Sequence, residues 1–240
     1  MSPSNYGERA RIGMLLASGN QAAEPQFHAM MPKGVSVHTT RIRLTGSSEK
    51  ELLSVAEGVE GATALVTDAG ADLVLFHCTA VSTYSKSLEE SIKQRIARVS
   101  GKPVAATSEA IVAALRAFSA KRIVMISPYQ QHINEREANF LRAFGFEILG
   151  LAGLDCVTAD AMMGVTPERW KSFAHEHRDD SADAYLMSCT TVRAADVAED
   201  LERELGRPVV TSNTAAAWHC LRKLGLNDKV QGFGRLLSEH

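Results

Sequence analysis

The sequence predicts an α/β fold of two pseudo-symmetric, Rossmann-like subdomains, each built on a short parallel sheet, facing each other across a cleft. Two observations predict it. Short, near-continuous apolar runs alternate with longer helical patterns, which is how strands buried on both faces and their crossover helices read in sequence. Three segments also recur in the same order in both halves of the 240-residue chain.

In chain order, the apolar runs Arg11–Ala17, Val35–Thr40, Leu73–His77 and Val104–Ala106 read as the strands of the first half. Arg122–Ser127, Glu147–Leu151, Ala184–Ser188 and Val209–Thr211 read as those of the second. Between them the 3.6-residue periodicity predicts helices over Glu49–Ala69, Lys86–Val99 and Ser108–Ser119, the last opening on a candidate cap serine. Asn134–Phe144, Pro167–His177, Ala194–Leu205 and Thr214–Leu224 complete the set. Thr166-Pro167 pairs a capping hydroxyl with a proline at the first helical position.

The repeat is specific. Arg11-Ile12-Gly13-Met14 returns as Arg122-Ile123-Val124-Met125, and Asp72 through Thr79 returns as Asp183 through Thr190, both 111 residues on. Gly101-Lys102-Pro103-Val104 returns as Gly206-Arg207-Pro208-Val209, now 105 residues on. Two equivalent halves follow: residues 1–115, with about 225–240 returning to them, and residues 116–224.

Composition narrows the function classes. Hydrophobic residues make up 45% and charged residues 22%, ordinary for a globular protein. A net charge of −2 implies no attraction to nucleic acid or an anionic membrane. No apolar run is long enough to span a bilayer, and the N-terminal MSPSNYGERARIGMLL lacks the basic and apolar regions of a signal peptide. A cytoplasmic location is expected, with reduced cysteines. The spacing of Cys78, Cys156, Cys189 and Cys220 fits no metal site, so neither metal nor cofactor is expected.

Cys78 and Cys189 are the equivalent pair. Each follows an apolar strand and precedes a threonine, and the carboxyl ends of parallel strands are where open α/β sheets bind ligands. Facing halves would place one thiol on each side of a planar substrate, for proton transfer at carbon or for addition to a double bond. Taken singly, each cysteine reads as a small buried hydrophobe; their symmetry reverses that preference. The reactive species is the thiolate, so the site is expected to lower the pKa of one cysteine, with backbone N–H groups or the Thr79 and Thr190 hydroxyls helping. His77 should point to the opposite strand face from Cys78, which argues against a dyad. Cys220, within a helical pattern, and Cys156 read as structural.

Asn20, in the turn after the first strand, and Tyr129, after the equivalent strand, are candidate carboxylate donors on matching loops. Ser108 and Asn213 are either helix caps or further donors. Arg41 and Arg43, close to His38, read as a carboxylate clamp or a surface salt bridge. His175 and His177, two apart on a helix, do not share a face for metal binding and read as a solvated helix end.

Taken together, Ser18-Gly19-Asn20-Gln21, the segment His38 to Arg43, Cys78, Pro128-Tyr129, Asn134-Glu135-Arg136, Cys189 and Gly232-Phe233-Gly234-Arg235-Leu236 resemble the aspartate/glutamate racemase superfamily. The nearest branch is that of maleate cis-trans isomerase and arylmalonate decarboxylase, and the likeness runs from Arg11 to Leu237. It implies a cofactor-independent enzyme acting on a small carboxylate or dicarboxylate. The decarboxylases carry glycine at the first cysteine position; both cysteines here side with the isomerases and racemases. In a maleate isomerase Cys78 would add to the alkene carbon and Cys189 would assist protonation. Asn20, Tyr129 and the groups around Thr79 and Thr190 would hold the carboxylates. Where the isomerases use an asparagine in the loop after the central strand of the second half, Asp160 stands here, and an acid facing a dicarboxylate costs binding unless protonated. The expected activity is maleate-type cis-trans isomerisation. Racemisation or arylmalonate-type decarboxylation is the alternative within the superfamily, and a non-catalytic carboxylate-binding protein the alternative outside it. Homo-oligomer formation is left open.

Overall fold

The computed structural model describes residues 5–44 and 48–240. Residues 1–4, at the start of the N-terminal stretch and of the 1–115 unit read above, and residues 45–47 lie outside the described residues.

The first half runs β1 (Ala10–Ala17), α1 (Ala23–Met30), β2 (Val35–Ile42), α2 (Glu49–Asp68), β3 (Leu73–His77), α3 (Thr79–Ser82), α4 (Lys86–Ser100), β4 (Val104–Ala106) and α5 (Thr107–Ala117). The second runs β5 (Arg122–Ser127), α6 (Gln131–Ala143), β6 (Glu147–Gly153), α7 (Ala159–Gly164), α8 (Pro167–Glu176) and β7 (Ala184–Met187). A 3₁₀ turn, Arg193–Val197, then leads into α9 (Ala198–Leu205), β8 (Val209–Thr211), α10 (Ser212–Lys223) and α11 (Arg235–Glu239).

The strands form two all-parallel four-stranded sheets, ordered β2-β1-β3-β4 and β6-β5-β7-β8. The duplication extends to register: Ile12 faces Leu73 in one sheet, and Ile123 faces Ala184, 111 residues on in both strands, in the other. Its conserved-looking residues have local causes. Asp72 and Asp183 each accept the backbone N–H that opens the neighbouring central strand, at Arg11 and Arg122 (both 2.8 Å). Gly101 and Gly206 end α4 and α9 in left-handed conformation (φ 63° and 66°), where a Cβ would be strained.

Strand side chains alternate between two apolar layers. Ile12, Met14, Leu73, Leu75, Ile123 and Met125 face a layer containing α5 and α10, which pack against each other and join the halves. The opposite strand faces pack on α2, α4, α8 and α9. Full burial of such side chains stabilises by about 1.5–3 kcal/mol each. The segment 225–240 touches both halves: Asp228 pairs with Arg9 (2.6 Å), and the Arg235 N–H bonds Glu202 Oε2 (2.7 Å).

Several expectations need correcting. Ser108 does not cap α5; the helix begins at Thr107, and Ser108 is buried in its first turn. The helix expected over Ala194–Leu205 is divided between the 3₁₀ turn and α9. Helices α1, α3, α7 and α11 were not foreseen. Among the described residues, no helix is long and apolar enough to cross a membrane.

Candidate active site

In both sheets the strand order reverses between the two central strands, β1 and β3 or β5 and β7, which makes the crevice beyond their carboxyl ends the expected binding place. Asn20 and Cys78 stand there in one half, Tyr129 and Cys189 in the other. All four line a single cavity of about 90 Å³. That is several times the minimum of roughly 10–15 Å³ needed to admit a single water, so the cavity has room for a small ligand.

Each polar group is held from behind. Asn20 Oδ1 accepts the backbone N–H groups of Ala22 and Ala23 (3.0 and 2.9 Å), so its Nδ2 turns across the cleft to Thr190 Oγ1 (3.0 Å). The second Nδ2 hydrogen remains available to a carboxylate. Ser127 Oγ accepts the Tyr129 N–H (2.9 Å) and bonds Asn134, whose Nδ2 donates to the Tyr129 carbonyl (3.2 Å). A Cβ on Gly153 would collide with that carbonyl and with Asn134, so the close approach requires glycine. Cys189 has φ 105°, uncommon for a side-chain-bearing residue and costing of order 1–3 kcal/mol. Its N–H donates to Ser212 Oγ (3.0 Å), and its sulfur accepts the Thr191 N–H (3.3 Å) and the Tyr129 hydroxyl.

Burial pushes the Cys78 thiol up to about 11, with the Val81 backbone N–H pulling it back. Burial pushes Cys189 to about 12 against the pull of Tyr129 and Thr191, and raises Tyr129 well above the usual phenol value. The expectation of a lowered cysteine pKa is therefore reversed: desolvation outweighs the hydrogen bonds, and both cysteines are thiols at neutral pH.

Thr190 lines the cavity as expected, but Thr79 does not: its Oγ1 donates to Ser212 Oγ (3.0 Å), the group that holds the Cys189 N–H. Asp160 also lies outside the lining. It is exposed and accepts Gln21 Nε2 (2.7 Å), while Ala159 and Met162 of the same short helix face the cavity. Nor does Asn213 cap a helix or reach the cavity. Thr211 caps α10, and Asn213 joins His77 Nε2 (2.9 Å), Gln26 and the Thr190 carbonyl in the buried wall behind the site. His77 is bonded away from Cys78, its other nitrogen meeting Thr107 Oγ1 (3.0 Å), and burial lowers its pKa to about 4. Arg41 clamps the turn bearing Asn20, through the Ser18 and Asn20 carbonyls (3.1 and 2.7 Å), and pairs with Glu24. His175 pairs with Glu204 on the surface (2.8 Å). Cys220 is sealed in the core, and Cys156 sits half-buried in a loop. Among the described residues no cluster of His, Cys, Asp and Glu has the arrangement of a metal centre.

Sequence reasoning missed the rest of the wall. Leu44, Leu52, Ile133, Val157 and Met162 make most of the lining apolar. They come from separate elements, and each reads in sequence as ordinary core.

The profile of the arylmalonate decarboxylase family matches residues 12–237. The chain belongs to the arylmalonate decarboxylase family. Within reach of that family, the chain is 28% identical to the maleate isomerase of Nocardia farcinica over 241 residues, which cover 95% of this chain and 96% of that one. It is 30% identical to the arylmalonate decarboxylase of Bordetella bronchiseptica over 175 residues, 71% of this chain and 72% of that one. Among solved structures, a cysteine-to-serine variant of the Nocardia farcinica maleate cis-trans isomerase with a covalently bound succinylcysteine intermediate superposes with a TM-score of 0.90. It is 26% identical, and the match covers 96% of this chain and 99% of that one. A two-sheet, cleft-centred α/β fold is thus shared across this part of the arylmalonate decarboxylase family.

Proposed function

We propose that this protein is a cofactor-independent isomerase of a small carboxylic acid, working by thiol addition, with maleate-type cis-trans isomerisation as its reaction. One observation carries the reading: Cys78 and Cys189, equivalent in the repeat, line the same small cavity with Tyr129 bonded to the second sulfur. The maleate isomerases similar to this chain, one of them holding a succinylcysteine, support it.

The proposed walls are the subdomains 1–115 (with about 225–240) and 116–224. Asn20, Tyr129 and Thr190 hold the carboxylates. The reacting state has Cys78 as thiolate and Cys189 as thiol. Cys78 sulfur bonds one alkene carbon, and Cys189 protonates the other. The Cys189 thiolate so formed rests on the Tyr129 hydroxyl and the Thr191 N–H. The carbon–carbon link is now single and rotates. Cys189 then takes its proton back, the carbon–sulfur bond breaks, and the trans alkene leaves. Proton NMR of maleate turning to fumarate tests this; Cys78→Ala should abolish it, and full activity in that variant removes the mechanism.

The apolar lining favours a second reading. Among the described residues lining the cavity none is Lys, Arg or His, while Leu44, Leu52, Ile133, Val157 and Met162 face it. A substrate with one carboxylate and an apolar group on the reacting carbon suits that wall, with the two cysteines exchanging a proton at carbon. Proton–deuterium exchange at the α-carbon of 2-aryl acids in heavy water, without conversion of maleate, would favour it.

A further inference from the structure

We infer that Glu137 is a positioning residue that makes the two thiols unequal, holding the proton on Cys189 and leaving Cys78 to act as the nucleophile. The inference deepens the two-thiol reading above and rests on it.

Glu137 lies on the inner face of α6, 1% exposed. Its Oε1 accepts Ser188 Oγ (2.6 Å), and Ser188 is the chain neighbour of Cys189. Its Oε2 is buried with no hydrogen-bond partner among the described residues. A buried acid with one oxygen unsatisfied is costly to the fold, so its retention calls for another reason. The groups that face it are Arg136 from its own helix, Tyr129 from the loop after β5, and Ser188 and Cys189 from the end of β7. Its negative charge disfavours a thiolate on Cys189 and a phenolate on Tyr129. Burial raises the carboxyl itself to about 7, against the pull of Ser188 and Arg136, so its charge changes within the working pH range.

The duplication supplies the control. Gln26 lies 111 residues earlier, on the equivalent helix α1. Its amide is satisfied at both ends, donating to the Val192 carbonyl (3.1 Å) and accepting from Asn213. At the equivalent position of the first half an amide therefore meets the fold's demand. The counterpart of Ser188 is His77, which burial keeps neutral. The wall bearing Cys78 thus has neutral polar groups behind it, and the wall bearing Cys189 has an ionisable acid. A thiol pair that must divide into nucleophile and proton donor needs such a difference, and the shared architecture does not provide it.

The test is alkylation by iodoacetamide, resolved by mass spectrometry at Cys78 and Cys189 across pH 6–10. In the unaltered protein the logarithm of the Cys189 rate should climb with pH, level off near neutrality as Glu137 ionises, then climb again; the Cys78 profile should lack that shoulder. Glu137→Gln should erase the shoulder and raise the Cys189 rate above pH 8 by roughly three- to tenfold, the effect of half to one pKa unit, with Cys78 changed less than twofold. A straight Cys189 profile, or the same shoulder at both cysteines, overturns the inference without any variant. So does a folded Glu137→Gln protein with an unchanged rate ratio. If that happens while Cys78→Ala remains inactive, the two-thiol reading stands and only the role of Glu137 falls. Isomerisation surviving in Cys78→Ala would instead sink the reading itself.

Discussion

Replacing Glu137 with Gln should uncover a pH dependence of stability that Glu137 and His77 cancel between them. Two fully buried groups titrate oppositely on folding. His77 falls from 6.5 to about 4, and Glu137 rises from 4.5 to about 7. Between pH 4.5 and 6.5 the unfolded chain carries a proton on His77 and none on Glu137; the folded chain carries one on Glu137 and none on His77. The depressed histidine makes stability rise with pH across its window, because the unfolded state binds the extra proton. The raised carboxyl makes stability fall with pH across its own, because the folded state binds the extra proton. Each contributes a slope of about 1.4 kcal/mol per pH unit, and the two cancel. Glu137→Gln removes the falling limb, so stability should climb by on the order of 3 kcal/mol from pH 4.5 to 6.5 relative to the unaltered protein. His77→Gln should do the reverse, and the double variant should run parallel to the unaltered protein. Urea unfolding at half-unit pH steps measures this, and taking differences cancels every other titrating group. Parallel curves for Glu137→Gln and the unaltered protein would refute the burial argument for Glu137, and parallel curves for His77→Gln and the unaltered protein would refute it for His77.

Other perturbations read the site more directly. Tyr129→Phe deletes the hydroxyl bonded to the Cys189 sulfur and leaves the Thr191 N–H alone; if the proposed Cys189 thiolate forms in turnover, losing a hydrogen bond to that charge, about 1.5–3 kcal/mol, should lower kcat/KM by roughly 10- to 150-fold with the near-ultraviolet circular dichroism unchanged. Asn20→Asp keeps the acceptor for Ala22 and Ala23 while replacing the donor with a negative charge, so KM for a dicarboxylate should rise at least tenfold with the melting temperature within a few degrees. Gly153→Ala forces a methyl group against the Tyr129 carbonyl and Asn134; an overpacking cost of about 1–3 kcal/mol should appear in urea unfolding, together with slower turnover from a displaced Tyr129.

The legible parts of the fold are those whose cause is local. Strands buried on both faces read as apolar runs, and Thr166-Pro167 marks the start of α8 because Thr166 Oγ1 accepts the Arg169 N–H (3.2 Å). Helix α1 escaped notice because Pro25 interrupts its pattern, although a proline in the first turn forfeits no intrahelical hydrogen bond. Helices α3 and α7 span four and six residues, too few for a period to show. At the site, the repeat singled out Cys78 and Cys189 as equivalent positions, and Asn20 and Tyr129 as members of equivalent loops, because matching loops in facing halves converge. Which neighbour turns inward is a tertiary matter: on α7 it is Ala159 and Met162 rather than Asp160, and beside Cys78 it is Ala80 rather than the Thr79 side chain. Glu137 was readable in principle, as the charged partner of Gln26 at the same 111-residue offset.

That offset also exposes a tension between scaffold and chemistry. A duplicated fold places equivalent groups at equivalent distances from a central ligand, which suits a planar substrate approached from both faces. Net conversion needs opposite roles on those faces, and symmetric surroundings would give the two sulfurs equal proton affinity. The structure breaks the equivalence in the layer behind the cavity. Asn20 faces Tyr129 across the cleft ends, His77 stands where Ser188 stands, and Gln26 where Glu137 does. Only the second half puts a hydroxyl on its sulfur, through Tyr129, and bends its cysteine into φ 105°. The strain is tolerated because Ser212, fixed in turn by Thr79 of the first half, pins the Cys189 N–H. The backbone geometry at Cys189 in one half is therefore held by a side chain of the other, and a change at Thr79 should register at Cys189 before it registers at its own neighbour, Cys78.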